Sequence, residues 1–468
     1  MQKGNIYIFG AGITGLSAGK ALAEKGYKVI IFEKNGFVGG MSATFNWNDY
    51  LLDLGPHKIF SIMPGAMREA KILLGEELLT VKKSSRIRLQ ETFLNYPVGI
   101  KDIILGLKPL TAVKFVFDYA FIILKNIISK GVDNTYKDWV INRFGRTIYS
   151  AIFGPYAAKI WADPETLHKE LAETRIVVPN LYKMFTQMVL GIKDKNVTLH
   201  ASEFYYAKHG SSVLCESLAK RITGNGGEIR LNEGIKRVNL SGGSVTSFTS
   251  TLGKEYPVGK DNAVISTMPL SDLAKNTPAI PQNVRDAIVL LKTNNLILEY
   301  LIINKPGISG DNWLFFPEKE YVFNRVFEQK NFSSYMVPQA TTALCAEITC
   351  AEDNPLWKTS ENEIFLKVVN DLKKCGLIKA EDVLKHFDKR LTGTYPIYDL
   401  NYKENKSVVF GFLDSIDNFY SIGRTGGFDY TGMLDCLDIG YKTADFIEKK
   451  RKNRKSLRDC FTGYIVVD

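Results

Sequence analysis

Residues 5–33 read NIYIFGAGITGLSAGKALAEKGYKVIIFE. Asn5 to Phe9 is a short apolar run of the kind a buried parallel strand requires. Gly10-Ala-Gly12-Ile-Thr-Gly15 follows and opens a helical pattern with Leu16, Ala18 and Leu22 on its apolar side and Gly26 as C-cap. A second strand, Lys28 to Phe32, ends in Glu33. Each part has a physical task. Gly10 permits a tight turn, Gly12 lets the backbone approach a pyrophosphate, and Gly15 lets the helix pack close to the strand. The helix N-terminus, with Ile13 and Thr14 in its first turn, offers free N–H groups and partial positive charge to phosphates. Glu33 falls where a carboxylate accepts hydrogen bonds from an adenosine ribose. In this order the parts predict a dinucleotide site.

The next residues, KNGFVGGMSATF from Lys34, carry a Gly39-Gly40 pair followed by Met41. Such a pair makes either a loop whose backbone passes close to the pyrophosphate or a plain loop before a strand. The combination of the two glycine motifs resembles the FAD site of the amine-oxidase-like flavoproteins and implies FAD. No second strand–glycine–helix fingerprint follows, so no separate NAD domain is expected.

Beyond residue 42 sheet-like and helix-like blocks alternate. Leu51 to His57 reads as a strand ending in a turn, and RIRLQETF (86–93) as one antiparallel strand. Residues 99 to 200 have mostly helical periodicity. Strand patterns return at Phe204–Tyr206, GEIRL (227–231), residues 261–269, Leu296–Ile303, Ala343–Thr349 and NFYSI (418–422), before a glycine-rich run and a helix from about Met433. The expected architecture is α/β. A Rossmann-type FAD-binding domain is built from discontinuous segments (1–90, 200–275 and 400–448), with a mostly helical insertion (91–199), an antiparallel-sheet substrate domain (276–399) and a basic C-terminal tail (449–468).

Charge and cysteines narrow the function classes. The 468 residues carry a formal +10, but KKRKNRKSLR (449–458) alone holds seven basic residues and no acid, leaving +3 for the rest. Nucleic acid is not expected as a partner, since no recognised module accompanies so short a basic run. The six scattered cysteines form no C-x-x-C pair and no metal-ligand spacing, which suits a reducing compartment and no metal. The chain opens directly into a strand, and no apolar run approaches the roughly 20 residues of a membrane span. The expectation is a cytoplasmic protein with weak peripheral membrane contact kept open. Residues 101–130 mix Lys101, Lys108, Lys114, Lys125 and Lys130 with large apolar side chains. Together with the basic run they suit an anionic lipid surface, although a helix buried in the insertion is the preferred reading.

Several later segments, in one order, resemble UDP-galactopyranose mutase, a flavoenzyme family within the amine-oxidase and protoporphyrinogen-oxidase-like group. They are Leu54-Gly-Pro-His57-Lys-Ile-Phe60, Tyr96-Pro97, Phe144-Gly-Arg-Thr-Ile-Tyr149, Tyr156-Ala-Ala-Lys159-Ile-Trp161, Arg325-Val-Phe-Glu328-Gln-Lys330-Asn-Phe332, Tyr395-Pro396 and Gly423-Arg424-Thr-Gly-Gly-Phe-Asp-Tyr430. The chain departs from that family after Arg175, where Ile176-Val-Val-Pro179 lacks its second arginine, and after Phe60, where Ser61 replaces a second histidine.

The resemblance implies a nucleotide-sugar rearrangement on reduced flavin, for a surface-polysaccharide precursor. Arg325 and Arg175 would be the cations that grip a diphosphate, and Tyr395 and Tyr430 hydroxyl donors or core residues. Trp161 suits a stack on a base or sugar, or a helical core. His57 is placed against the flavin or in a structural role. Gly423, Arg424, Tyr430 and Met433 would face the flavin from the C-terminal motif, with the following helix aiming its N-terminus there. Val238 is grouped with these cofactor residues. The competing reading is a redox flavoenzyme of the amine oxidase or protoporphyrinogen oxidase type, using the same FAD residues with an apolar or aromatic substrate cage. Substrate and oligomeric state stay open.

Overall fold

A computed structural model of the chain describes residues 3–61, 63–98, 102, 106–128, 131–176, 202–451, 453–461 and 464. Helical expectations for 177–201 therefore lie outside the described residues. The chain divides into two compact units, one comprising Met1–Leu79, Tyr205–Lys292 and Asn401–Tyr464, the other Thr80–Phe204 with Thr293–Leu400.

The first unit is built on a five-stranded parallel sheet in the order Phe419–Ser421, Ala263–Ser266, Asn5–Phe9, Lys28–Phe32, Glu228–Arg230. Four of these strands are buried almost throughout, as their continuous apolar runs require, while the edge strand Glu228–Arg230 is exposed to half-buried. The helix Ile13–Glu24 covers one face and is itself flanked by Ser212–Gly224 and Met433–Glu448. The last contact is unusually close. A Cβ at Gly440 would overlap the Ser17 hydroxyl and lie 2.6 Å from the Thr14 carbonyl oxygen, so only glycine lets these helices meet. On the other face a three-stranded antiparallel sheet, Ile235–Ser241, Ser244–Ser250 and Glu255–Pro257, buries Phe248 against Tyr7, Phe9 and Phe32.

A buried carboxyl fastens the unit's early hairpin. Asp53, at the end of strand Tyr50–Asp53, accepts from the Thr44 hydroxyl (2.5 Å), the Ser211 N–H (3.1 Å) and hydroxyl (2.7 Å), and Tyr206. Desolvation raises its pKa despite these donors. The basic C-terminal segment is no free tail. Arg454–Asp459 is a helical turn, with the Arg454 guanidinium 3.5 Å from the Tyr420 ring centroid and Arg458 paired to Asp414. Lys449 pairs with Asp445 at 2.8 Å.

The second unit carries a seven-stranded sheet in the order Val383–Pro396, Thr293–Ile303, Thr342–Cys350, Arg325–Glu328, Trp313–Phe315, Ser85–Leu89, Thr92–Asn95. All neighbours are antiparallel except Trp313–Phe315 with Ser85–Leu89. One face packs Ile297, Leu301, Phe323, Val326, Leu344 and Ile348 against Ile364, Val368 and Leu372 of the helix Glu361–Lys374. The expected single strand over 86–93 is instead the turn of a hairpin, because Gln90 and Glu91 adopt φ of 50° and 71° and reverse the chain.

The helices of this unit include Pro109–Ile128, Tyr136–Phe144, Gly154–Ile160 and Lys169–Arg175. Lys159 staples its helix to the sheet region by donating to the Phe316 (2.8 Å) and Phe323 (3.0 Å) carbonyls, and burial pulls its pKa down to about 8. The preferred burial of the 101–130 region does not hold for its helix. Ala112, Phe115 and Ile122 are inside, but Leu110, Phe117, Phe121 and Leu124 face outward. No helix among the described residues is long and apolar enough to cross a membrane.

Glu299 lies fully buried in the middle of the long strand Thr293–Ile303, with Asp388 as cross-strand neighbour and His386 Nδ1 at 3.2 Å. Desolvation, reinforced by Asp388 and Glu361 and opposed by Arg390, pushes its pKa up to about 9. Its unfolded value is about 4.3. The folded state therefore holds a proton that the unfolded state releases as pH rises between the two values. The stability contribution is complete below the unfolded value and declines until pH passes the folded one. Glu299→Gln should remove this slope. Denaturant titrations from pH 5 to 9 should show the variant gaining on the parent by up to about 1 kcal/mol per pH unit. Parallel curves would place an ionised Glu299 in the folded state.

Candidate functional site

Strands Asn5–Phe9, Ala263–Ser266 and Phe419–Ser421 end on one edge of the parallel sheet, and each runs into a glycine or threonine turn there. Gly10 sits tightly, since a Cβ would overlap the Thr267 hydroxyl, which itself donates to the Phe9 carbonyl at 3.0 Å. A Cβ on Gly15 would overlap the Gly10 carbonyl oxygen, which explains the close seating of the helix. Gly12 is different: a Cβ there meets nothing within 4 Å. Space beside the main chain is what close approach of a pyrophosphate requires. Among the described residues no side chain caps this helix N-terminus and no acid occupies its first turn, so its N–H groups suit an anion.

The second glycine pair reaches the first. Gly39 bridges Gly12 and donates its N–H to the Ala11 carbonyl at 2.8 Å, using a φ of +111° that a side chain would strain. Gly40 and half-buried Met41 continue in a short helical turn. Glu33, 5% exposed, accepts from the Ala11 N–H (2.8 Å) and from the Asn35 N–H and side-chain amide (2.9 Å each). A carboxylate offers about four lone-pair sites, so the one left over suits a single ribose hydroxyl. Lys34 is exposed, 4.0 Å from Asp272. His57 is half-buried in the loop after strand Tyr50–Asp53.

The C-terminal motif closes on the same helix. A Cβ on Gly423 would sit 2.8 Å from the Thr14 hydroxyl. Arg424 lies over the ring of buried Tyr430 at 4.5 Å and donates to the Thr431 carbonyl at 2.6 Å. The helix from Met433 is capped by its own Asp435, which accepts from the Gly432 N–H at 2.8 Å; burial pushes Asp435 up to about 6. This helix N-terminus is thus already answered by a carboxylate, unlike that of Ile13–Glu24. Val238 is buried and, with Leu240, Leu273 and Phe419, lines a small apolar cavity.

The four substrate-pocket residues expected outside this unit all lie in the second one. Arg325 is the clearest. Its Nε and Nη2 reach Glu347 Oε2 at 3.0 and 2.8 Å, and Nη2 reaches Oε1 at 2.9 Å. Glu347 is its directly opposed residue on strand Thr342–Cys350 and is fully buried. Glu328, three residues along the same strand, instead accepts from the Ile308 and Ser309 N–H groups and the Thr342 hydroxyl. Trp161 is buried beside Tyr136, with its carbonyl taken by the Asn294 amide, a core placement. Arg175 ends the helix Lys169–Arg175 close enough to Tyr136 to act on it electrostatically. Tyr395 is half-buried near the end of strand Val383–Pro396, opposite Asn294.

Glu347 and Thr267 escaped sequence reading because strand register and a loop approach give them their roles. The Asp435 cap carried a signal, an acid three residues after Gly432.

Residues 8–70 match the NAD(P)-binding Rossmann-like domain, and residues 136–398 match the flavin containing amine oxidoreductase model. The chain belongs to the flavin-containing amine oxidoreductases. As a member of that family it is a flavoenzyme with FAD as cofactor, and the open space at Gly12, the Gly39 bridge and the uncapped helix fit that group. A 1-hydroxycarotenoid 3,4-desaturase from Flavobacterium sp. (strain P99-3) is 21% identical over 94% of this chain and 98% of its own. Among solved structures, a reduced UDP-galactopyranose mutase superposes with a TM-score of 0.83 at 19% identity, covering 97% of this chain and 95% of the other. A protein assigned as a protoporphyrinogen oxidase from Exiguobacterium sp. 255-15 reaches 0.74 at 17%, covering 96% and 100%. These likenesses establish the two-part flavoenzyme fold.

Gly12→Val tests the cradle cleanly, because Gly12 has an ordinary φ of −72° and room for a side chain. The purified variant should lose its flavin absorbance by about tenfold or more while the apoprotein unfolds within about 0.5 kcal/mol of the parent apoprotein. Full flavin retention would move the pyrophosphate elsewhere.

Proposed function

We propose that this flavoenzyme removes two hydrogens from an apolar, unsaturated substrate, as a desaturase-type oxidoreductase. The observation that carries the reading is the Arg325–Glu347 pair. A nucleotide sugar's diphosphate needs cations still able to bind it, whereas Arg325 already makes a bidentate pair with a buried carboxylate. The missing arginine after Arg175 points the same way. The whole-length similarity to a carotenoid desaturase supports it. Bound FAD supplies two-electron acceptance, so that a C–C single bond losing a hydride and a proton becomes C=C.

The chain's own residues would hold and orient the cofactor. Gly10, Gly12, Ile13, Thr14, Gly15, Gly39, Gly40 and Met41 would present main chain to the pyrophosphate, and Glu33 its remaining acceptor to the ribose. Lys34 and Val238 would contribute main chain. His57, Gly423, Arg424, Tyr430 and Met433 are assigned to the flavin end, with Arg424 held over Tyr430 as a fixed positive charge. Trp161, Arg175 and Tyr395 are assigned to shaping the substrate region.

The second reading, a mutase-like rearrangement, is favoured by the 0.83 TM-score of the mutase. One experiment separates them. Under anaerobic conditions the oxidised protein is mixed with a polyene in detergent, and the dithionite-reduced protein with nucleotide sugars. The expected result is bleaching of oxidised flavin and a product lighter by two hydrogens. Furanose formation on reduced flavin, without net redox, would replace this reading with the mutase.

Arg325 provides a further check. Arg325→Met strands a buried carboxylate and should cost about 3 kcal/mol in urea unfolding, much of it recovered in Arg325→Met/Glu347→Leu. Unchanged stability with loss of nucleotide-sugar binding would restore Arg325 as a substrate cation.

A further inference from the structure

The helix Pro109–Ile128 presents two apolar faces with different fates. Ala112, Phe115 and Ile122 turn inward, and Asn126 donates to the Asn142 carbonyl at 2.7 Å. Leu110, Val113, Val116, Phe117, Phe121 and Leu124 are 43% to 72% exposed. Their spacing puts them in one stripe along a helix about 30 Å long. Single exposed apolar residues need no explanation, but a continuous stripe of six marks a contact surface.

The charges beside the stripe select the contact. Lys114 and Lys125, both exposed, are eleven residues apart and so lie along one flank, and exposed Lys108 stands at the start. The helix's one acid is turned inward: Asp118 accepts from the Thr147 N–H at 2.6 Å and packs on Gly145. A second copy packing stripe on stripe would bring like-charged flanks together with no acid between them. An anionic bilayer answers both features, apolar side chains entering the acyl boundary and ammonium groups meeting headgroups.

We infer that the outward face of Pro109–Ile128 is a membrane-surface docking site, on which the helix lies in the plane of an anionic bilayer without crossing it. The site is independent of the basic C-terminal segment, where Lys449, Arg454 and Arg458 are engaged within the first unit. It is also independent of the proposed desaturation.

Flavin-loaded full-length protein should be floated with vesicles of phosphatidylcholine plus phosphatidylglycerol, and with pure phosphatidylcholine. The expected result is strong flotation on the anionic vesicles and weaker flotation on neutral ones. Phe117→Glu/Phe121→Glu should weaken anionic binding by about tenfold or more. Lys114→Glu/Lys125→Glu should abolish the preference for anionic lipid. Neither should change flavin content or melting temperature. Lys450→Ser/Arg451→Ser/Lys455→Ser, in the C-terminal segment, should leave flotation intact. Absence of flotation, or flotation untouched by the phenylalanine variant, overturns the proposal. So does a vesicle-free dimer that the same variant dissociates, which would make a second copy the occupant.

Discussion

The first unit depends on how closely main chains approach one another when side chains are absent. Ile13–Glu24 touches Met433–Glu448 through Gly440, seats against its own turn through Gly15, and meets the C-terminal motif at Thr14 and Gly423. The same helix leaves Gly12 clear. Three contacts without slack and one deliberate gap fix where an anion can sit. Packing density then serves ligand geometry directly, because interiors packed this tightly shift as units. Asp53 applies the same logic to the hairpin that follows the second glycine pair, holding it through Tyr206, Ser211 and Thr44.

In the second unit, polar groups are buried in answered sets. Arg325 with Glu347, Lys159 with two carbonyls, and Glu328 with two N–H groups and a hydroxyl each bury a charge among partners. Such sets specify one register for the sheet, since a slip of one residue would separate Arg325 from Glu347 and turn every side chain to the other face. Glu299 is a different case, with desolvation and neighbouring acids pushing its pKa up to about 9.

Local features were legible in the sequence. The glycine fingerprint, the strands of the parallel sheet and the helix from Met433 follow from spacing within a few residues, and so does the FAD expectation. The mutase expectation rested on motifs in one order and cast Arg325 and Arg175 as cations for a diphosphate; strand register, which one sequence does not display, pairs Arg325 with Glu347. The hairpin at Gln90–Glu91 was hidden because neither residue is a usual turn former. The helix Pro109–Ile128 was misjudged for a different reason. Apolar residues line both its faces, so periodicity reports a helix without saying which side is covered. Within the C-terminal basic run, the partners of Arg454 and Arg458 were hidden because Tyr420 and Asp414 lie 34 and 44 positions away, while Lys450, Arg451 and Lys455 are exposed.

The parallel sheet has its first strand near residue 5 and an edge strand at Phe419–Ser421, and the helix against Thr14 and Ser17 is Met433–Glu448. During synthesis the opening fingerprint therefore leaves the ribosome about 400 residues before the elements that close over it. At about 5–20 residues per second, that is a wait of roughly 20 to 80 seconds. Until then the apolar flank of Ile13–Glu24 has no cover from its C-terminal partner. Cofactor capture by the completed cradle is thus a late event in the life of the nascent chain, and the interval is when chaperones would find most to hold.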